Sequence, residues 1–127
     1  MRTHIISTKR APEAIGPYSQ AVVAGDLVFL SGQIPLDAAS GSMVEGDIRI
    51  QTRQVMENLG EVLKEAGLGF EHVVKCTIYL TDLADFGAVN ETYGGYFTAD
   101  PPARATVQVA ALPKGAGVEI DAIAVTR

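Results

Sequence analysis

A chain of 127 residues has room for one domain core and no second. With 47% hydrophobic and 20% charged residues, it is too apolar to be disordered, and it buries roughly two-thirds of its unfolded surface without help from a disulfide or metal. Ten Lys and Arg against fifteen Asp and Glu leave a net charge of -5 with no long basic block, which disfavours nucleic acid as a partner but permits a local basic pocket.

The elements follow from periodicity. His4 to Ser7 reads as a short edge strand, and Pro12, Gly16 and Pro17 make the next stretch irregular. Ser19 to Ala24 and Leu27 to Ile34 read as two strands joined by a tight turn at Gly25-Asp26. The second of these strands begins apolar and ends in Ser31, Gly32 and Gln33, as a strand does when it arrives at a site or at solvent. Asp37 to Ser42 marks a surface loop.

From Asp47 to Ala66 the period changes. Ile48, Thr52, Val55, Met56, Leu59, Val62, Leu63 and Ala66 recur on one face of a helix of about five turns. Asp47 is the expected N-cap, and Gly67 with Leu68 the expected C-terminal stop. Val73 to Leu80 reads as a strand with Val74, Cys76, Ile78 and Leu80 on one face and Lys75, Thr77 and Tyr79 on the other. Asp85 is expected to cap a second helix with Phe86, Val89, Tyr93 and Phe97 inward; Gly94-Gly95 weakens it and Pro101-Pro102 ends it.

Two strands complete the pattern. Ala103 to Ala110 sets Arg104, Thr106 and Gln108 against Ala105, Val107 and Val109. Gly117 to Thr126 sets Val118, Ile120, Ala122 and Ala124 against Glu119, Asp121, Ile123 and Val125. The order β-β-β-α-β-α-β-β predicts an α+β fold with a mixed six-stranded sheet, two helices on one face, and a second face that meets another subunit.

Several kinds of chemistry lack their motif. His4 and His72 sit in no metal-ligand spacing, and the scattered glycines form no nucleotide loop, so neither metal nor cofactor is expected. The lone Cys76 cannot form an intrachain disulfide, and on an apolar strand face it reads as a small core residue. No segment reaches the ~18–20 apolar residues of a membrane span, and the first residues lack a secretory h-region, so a cytoplasmic location is expected and no membrane partner. Arg104, entering its strand after Pro101-Pro102-Ala103, has two readings: a bidentate grip on a carboxylate, or an ion pair with Glu119 or Asp121. Glu119, if dried and paired, suits a proton shuttle. Tyr18, held at a corner by Gly16-Pro17, suits either packing or the wall of a pocket.

Gly16-Pro17-Tyr18-Ser19-Gln20-Ala21, Ser31-Gly32-Gln33, Gln51-Thr52-Arg53-Gln54 with Asn58-Leu59, Pro102-Ala103-Arg104, Leu112-Pro113 and Val118-Glu119-Ile120 together resemble the RidA (YjgF) family, from about Ile5 to Val125. The resemblance implies a chorismate-mutase-like fold, a homotrimer with a central barrel, and clefts between adjacent subunits. It implies hydrolysis of reactive enamines and imines, of the 2-aminoacrylate type released by pyridoxal-phosphate-dependent dehydratases, to 2-oxo acids and ammonia. By position, Arg104 would bind the substrate carboxylate, while Tyr18, Ser31, Gly32 and Asn90 would line the cleft. Glu119 would activate water or move the proton, and the backbone at Thr106 and Val107 would complete the water site. An imine carbon is already electrophilic, so such chemistry needs no metal and no covalent nucleophile.

In one respect the chain departs from the pattern. Many family members carry Cys two residues after the Arg, and here Thr106 stands there; substrate preference is the property this affects. Two other roles compete: a regulatory trimer sensing a 2-oxo or amino acid, and a ribonuclease or translation inhibitor. The net charge opposes the latter.

Overall fold

The computed structural model describes residues 4–127. Six strands and two α-helices follow one another in chain order among these residues: β1 His4–Ile6, β2 Ala21–Ala24, β3 Leu27–Gln33, α1 Ile48–Glu65, β4 Val73–Leu80, α2 Phe86–Gly94, β5 Ala103–Gln108 and β6 Val118–Val125. They form one mixed sheet in the order β1-β2-β3-β6-β4-β5. All pairs are antiparallel except β4 with β5, which α2 connects as a crossover. The architecture is the α+β arrangement that the periodicities predict.

Local chemistry sets the boundaries. Ala24 pairs with Leu27 across a two-residue turn in which only Gly25 has a positive φ, of 63°, the II′ pattern that matches strand twist. The Asp47 carboxylate accepts a hydrogen bond from the Ile50 amide at 3.0 Å and caps α1. At the other end the Leu68 amide donates to the Leu63 carbonyl and the Gly67 amide to Lys64, with Gly67 at φ 77°; this is a Schellman stop.

Helix α1 presses Val55, Met56, Leu59, Val62 and Leu63 onto the sheet, all essentially inaccessible. Each contributes about 1.5–3 kcal/mol of apolar burial. Beneath them lie Val28 and Leu30 of β3, Cys76, Ile78 and Leu80 of β4, and the alternate residues Val118, Ile120, Ala122 and Ala124 of β6. Among the described residues nothing covers the other sheet face, which carries Ile5, Leu27, Phe29 and Val107, 38–47% exposed.

Three sequence expectations change. Val74 is exposed and Val73 buried, because the β4–β6 register shifts between Val73 and Lys75 and reverses the alternation there. Asp85 makes no side-chain cap; Asp82 caps instead, accepting from the Ala84 amide at 2.9 Å at the 3-10 turn that precedes α2. Phe86 does not enter the core with Val89 and Tyr93 but stays 41% exposed.

Candidate functional site

Two half-sites emerge from the fold, one on each face of the sheet. The first lies on the uncovered face where β3 meets β6. Their register slips between Leu30 and Gln33, and Ser31 and Gly32 occupy the irregularity. The Glu119 side chain lies directly over Gly32, where any Cβ would collide with its carboxyl group. Glycine is thus a condition for Glu119 to rest there.

The neighbouring loop is tied down by a buried amide. Gln20 accepts from the Thr8 amide at 2.7 Å and donates to the Thr8 and Pro12 carbonyls at 3.1 and 2.8 Å. The Ser31 hydroxyl donates to the Ser19 carbonyl at 2.6 Å, and the Ser31 amide to the Gln20 carbonyl at 2.9 Å. Both chain segments are therefore locked against each other, with Tyr18 half-exposed at the rim.

The result is a cleft of about 390 Å³ whose polar end is Tyr18, Ser31, Gly32 and Glu119 and whose apolar wall includes Pro12, Ile15, Leu36 and Pro113. Two amides of α1 hold the cleft from behind. Asn58 donates to the Ile34 and Leu36 carbonyls at 3.3 and 2.9 Å, and Gln51 accepts from the Gly117 amide at 2.9 Å, just before Glu119 enters β6. Motif matching singles out Gln20, Gln51 and Asn58 as letters without assigning them a task. Their task is to satisfy and fix backbone groups around the cleft. A polar residue amid an otherwise apolar helical stripe, as Asn58 is, is the sequence signal that marks such a role.

Electrostatics strengthen the hold of Glu119 on its proton. Partial burial, and then the nearby Asp121, push its carboxyl above the ordinary carboxylate value. Asp121 accepts a hydrogen bond from the Tyr79 hydroxyl at 3.1 Å, and Tyr79 stands directly opposite Glu119 on β4.

The second half-site lies at the end of the sheet, on the helix-covered side. Arg104 pairs in register with Cys76, whose side chain is in the core. Its Nη1 donates to the Asn90 Oδ1, and its guanidinium carbon is 5.5 Å from the Phe86 ring centre and 5.3 Å from that of Tyr93. Among the described residues the guanidinium makes no further hydrogen bond, so its Nε–Nη2 edge is free. Asn90, Tyr93, Pro101, Pro102 and Arg104 surround an open hollow of about 390 Å³.

An ion pair of Arg104 with Glu119 or Asp121 does not form. Strand β4 lies between β5 and β6, and Glu119, Asp121 and Tyr79 share the opposite face. Thr106 follows Arg104 on the same side, its hydroxyl buried without a partner, while Val107 points to the uncovered face. Strand β5 is an edge strand, so one rail of its peptide groups is unpaired by other strands among the described residues. Sequence-chosen residues thus divide: Tyr18, Ser31, Gly32 and Glu119 meet in one cleft, Arg104 and Asn90 in another, and no single chain brings the two together.

Cys76 is buried, and burial pushes its thiol up, which keeps it protonated and inert. No group of three or more His, Cys, Asp or Glu among the described residues is arranged around a metal position. No helix among them is long and apolar enough to cross a membrane.

Known proteins share this fold. The family model described as Endoribonuclease L-PSP matches residues 8–126. The chain is 63% identical over 128 residues to Protein DfrA of Myxococcus xanthus, covering 99% of this chain and 98% of that protein. It is 54% identical over 121 residues to the 2-iminobutanoate/2-iminopropanoate deaminase of Mus musculus, covering 95% and 90% respectively. The crystal structure of E. coli TdcF with bound serine superposes with a TM-score of 0.93 at 45% identity, over 97% of this chain and 98% of that one. A chain with this fold, these motifs and this coverage is a member of the YjgF/RidA family.

Proposed function

We propose that the protein is an imine and enamine deaminase acting on 2-iminobutanoate, 2-iminopropanoate and their enamine tautomers. The observation that carries this reading is Arg104, with one edge fixed by Asn90 and the other edge open to a carboxylate. The deaminase name of relatives above 50% identity supports it, and the serine bound by TdcF suits a small amino-acid skeleton.

The active unit in this reading is a homotrimer. The edge strand β5 of one copy, with Arg104 at the end of its sheet, lies against the Glu119 cleft of the next, and the packed sheet faces would bury the apolar residues Leu27, Phe29 and Val107.

The chemistry follows from the residues. The Nε–Nη2 edge of Arg104 grips the substrate carboxylate and fixes the reacting carbon. Glu119 in its acid form gives a proton to the β-carbon of the enamine and takes one from the nitrogen, yielding the imine. Water then adds to the imine carbon as a proton moves to nitrogen. The C–N bond of the carbinolamine breaks, ammonia leaves with the hydroxyl proton, and a 2-oxo acid remains. The Ser31-Gly32 irregularity holds Glu119 beside that carbon.

A dehydratase that depends on pyridoxal phosphate, run with semicarbazide to trap free imine, tests the reading. The protein speeds the appearance of the 2-oxo acid if the reading holds. No acceleration, with 2-oxobutyrate still bound, assigns the cleft to sensing instead.

A further inference from the structure

The geometry points to Phe86 as a residue that positions Arg104 for carboxylate binding, an inference that rests on the proposed role of Arg104. Phe86, Asn90 and Tyr93 lie at i, i+4 and i+7 on α2 and form one stripe. All three meet the same guanidinium: Asn90 through a hydrogen bond, and the two rings at 5.5 and 5.3 Å from the guanidinium carbon. Both distances fall within the range over which a ring attracts a cation.

The two rings differ in what else they do. Tyr93 is 4% exposed and packs on Phe97 at 4.9 Å between ring centres, so it belongs to the core as well. Phe86 is 41% exposed and lies outside the core cluster. A large apolar side chain left at the surface at the start of a helix gains little from burial. Its named contact is the cation.

The division of labour is geometric. Asn90 fixes the rotation of the guanidinium by holding Nη1, and the rings confine it from both ends of the stripe. The Nε–Nη2 edge is thereby aimed outward before any ligand arrives. Pre-ordering of this kind lowers the ordering cost of binding and acts on affinity.

Phe86→Leu removes the ring's attraction for the cation and keeps an apolar side chain, and Phe86→Tyr keeps a ring. Calorimetry with 2-oxobutyrate is the first readout, with Arg104→Ala as the control for site-specific binding. The expected result is a loss of about two- to five-fold in affinity for Phe86→Leu, largely restored in Phe86→Tyr, with the kinetic loss falling on KM rather than kcat. Wild-type affinity in Phe86→Leu, where Arg104→Ala abolishes binding, overturns the proposal and leaves the function of Arg104 standing.

Should the wild-type protein bind no 2-oxobutyrate, the carboxylate reading itself fails. The Arg104 Nε–H resonance, identified by its loss in Arg104→Lys, then decides the matter without a ligand. A lower order parameter for that Nε–H in Phe86→Leu, restored in Phe86→Tyr, retains Phe86 as the group that orients Arg104. An unchanged order parameter removes it.

Discussion

Arg104 and Glu119 face opposite sides of one sheet, with strand β4 between the strands that carry them. The two residues that the proposed chemistry most needs together are separated by the sheet itself within a single chain. The proposed trimer would bring them together between copies and would cover the apolar residues left on the uncovered face.

Arg104→Ala removes the carboxylate grip. A charged hydrogen-bonded contact is worth about 1.5–3 kcal/mol, so kcat/KM falls roughly 10- to 100-fold in the dehydratase-coupled assay. Arg104→Lys restores only part of it, because an ammonium lacks the planar fork.

Gly32→Ala sets a methyl group where the Glu119 carboxyl rests. The carboxyl is the far end of a flexible side chain, so it moves aside and the fold survives. Thermal unfolding changes little, while kcat falls because the proton donor is displaced from the reacting carbon.

The raised Glu119 carboxyl makes a stability prediction with a definite sign. Its folded value lies above its unfolded one, so the folded state holds the proton more tightly. That contribution is complete below the unfolded value and lost as pH rises through the folded one. Glu119→Gln removes the penalty of a partly buried carboxylate, so at neutral pH the variant melts higher than the wild type while its deaminase activity is lost. Asp121→Asn removes a neighbouring negative charge that raises the Glu119 carboxyl, so the loss of activity with rising pH, as Glu119 gives up its proton, sets in at lower pH.

Phe29→Asp tests the uncovered face. Phe29 is 44% exposed and pairs with Ile123, and a carboxylate there is hydrated in a free chain but stranded in an apolar contact. Light scattering after gel filtration is expected to show a trimer for the wild type and smaller species for the variant, with activity falling in parallel.

Much of this fold is legible in the sequence because its signals are local. The apolar stripe of α1, the Asp47 cap, the Gly25 turn and the alternation of β6 are each set by neighbours within a few residues. Val74 and Phe86 are not legible in that way. The first depends on a register slip against β6, a strand more than forty positions later in the chain, and the second on a cation that β5 delivers after the helix is complete. The site shows the same divide. Alternation assigns Arg104 and Glu119 to faces of their own strands, but only the strand order, with β4 inserted between β5 and β6, shows that those faces are opposite. Gln20, Gln51 and Asn58 stand in recognisable motifs, yet their carbonyl and amide partners lie up to 66 positions away.

Complementation between two inactive variants tests the shared site most directly. Arg104→Ala and Glu119→Gln chains, unfolded together and refolded at equal ratio, assemble into mixed trimers. If each site takes Arg104 from one copy and Glu119 from the next, about one quarter of the sites in random mixtures are intact, and deaminase activity returns to about that fraction of wild type. A mixture as inactive as its two parents, despite confirmed mixed assembly, contradicts a site built between chains.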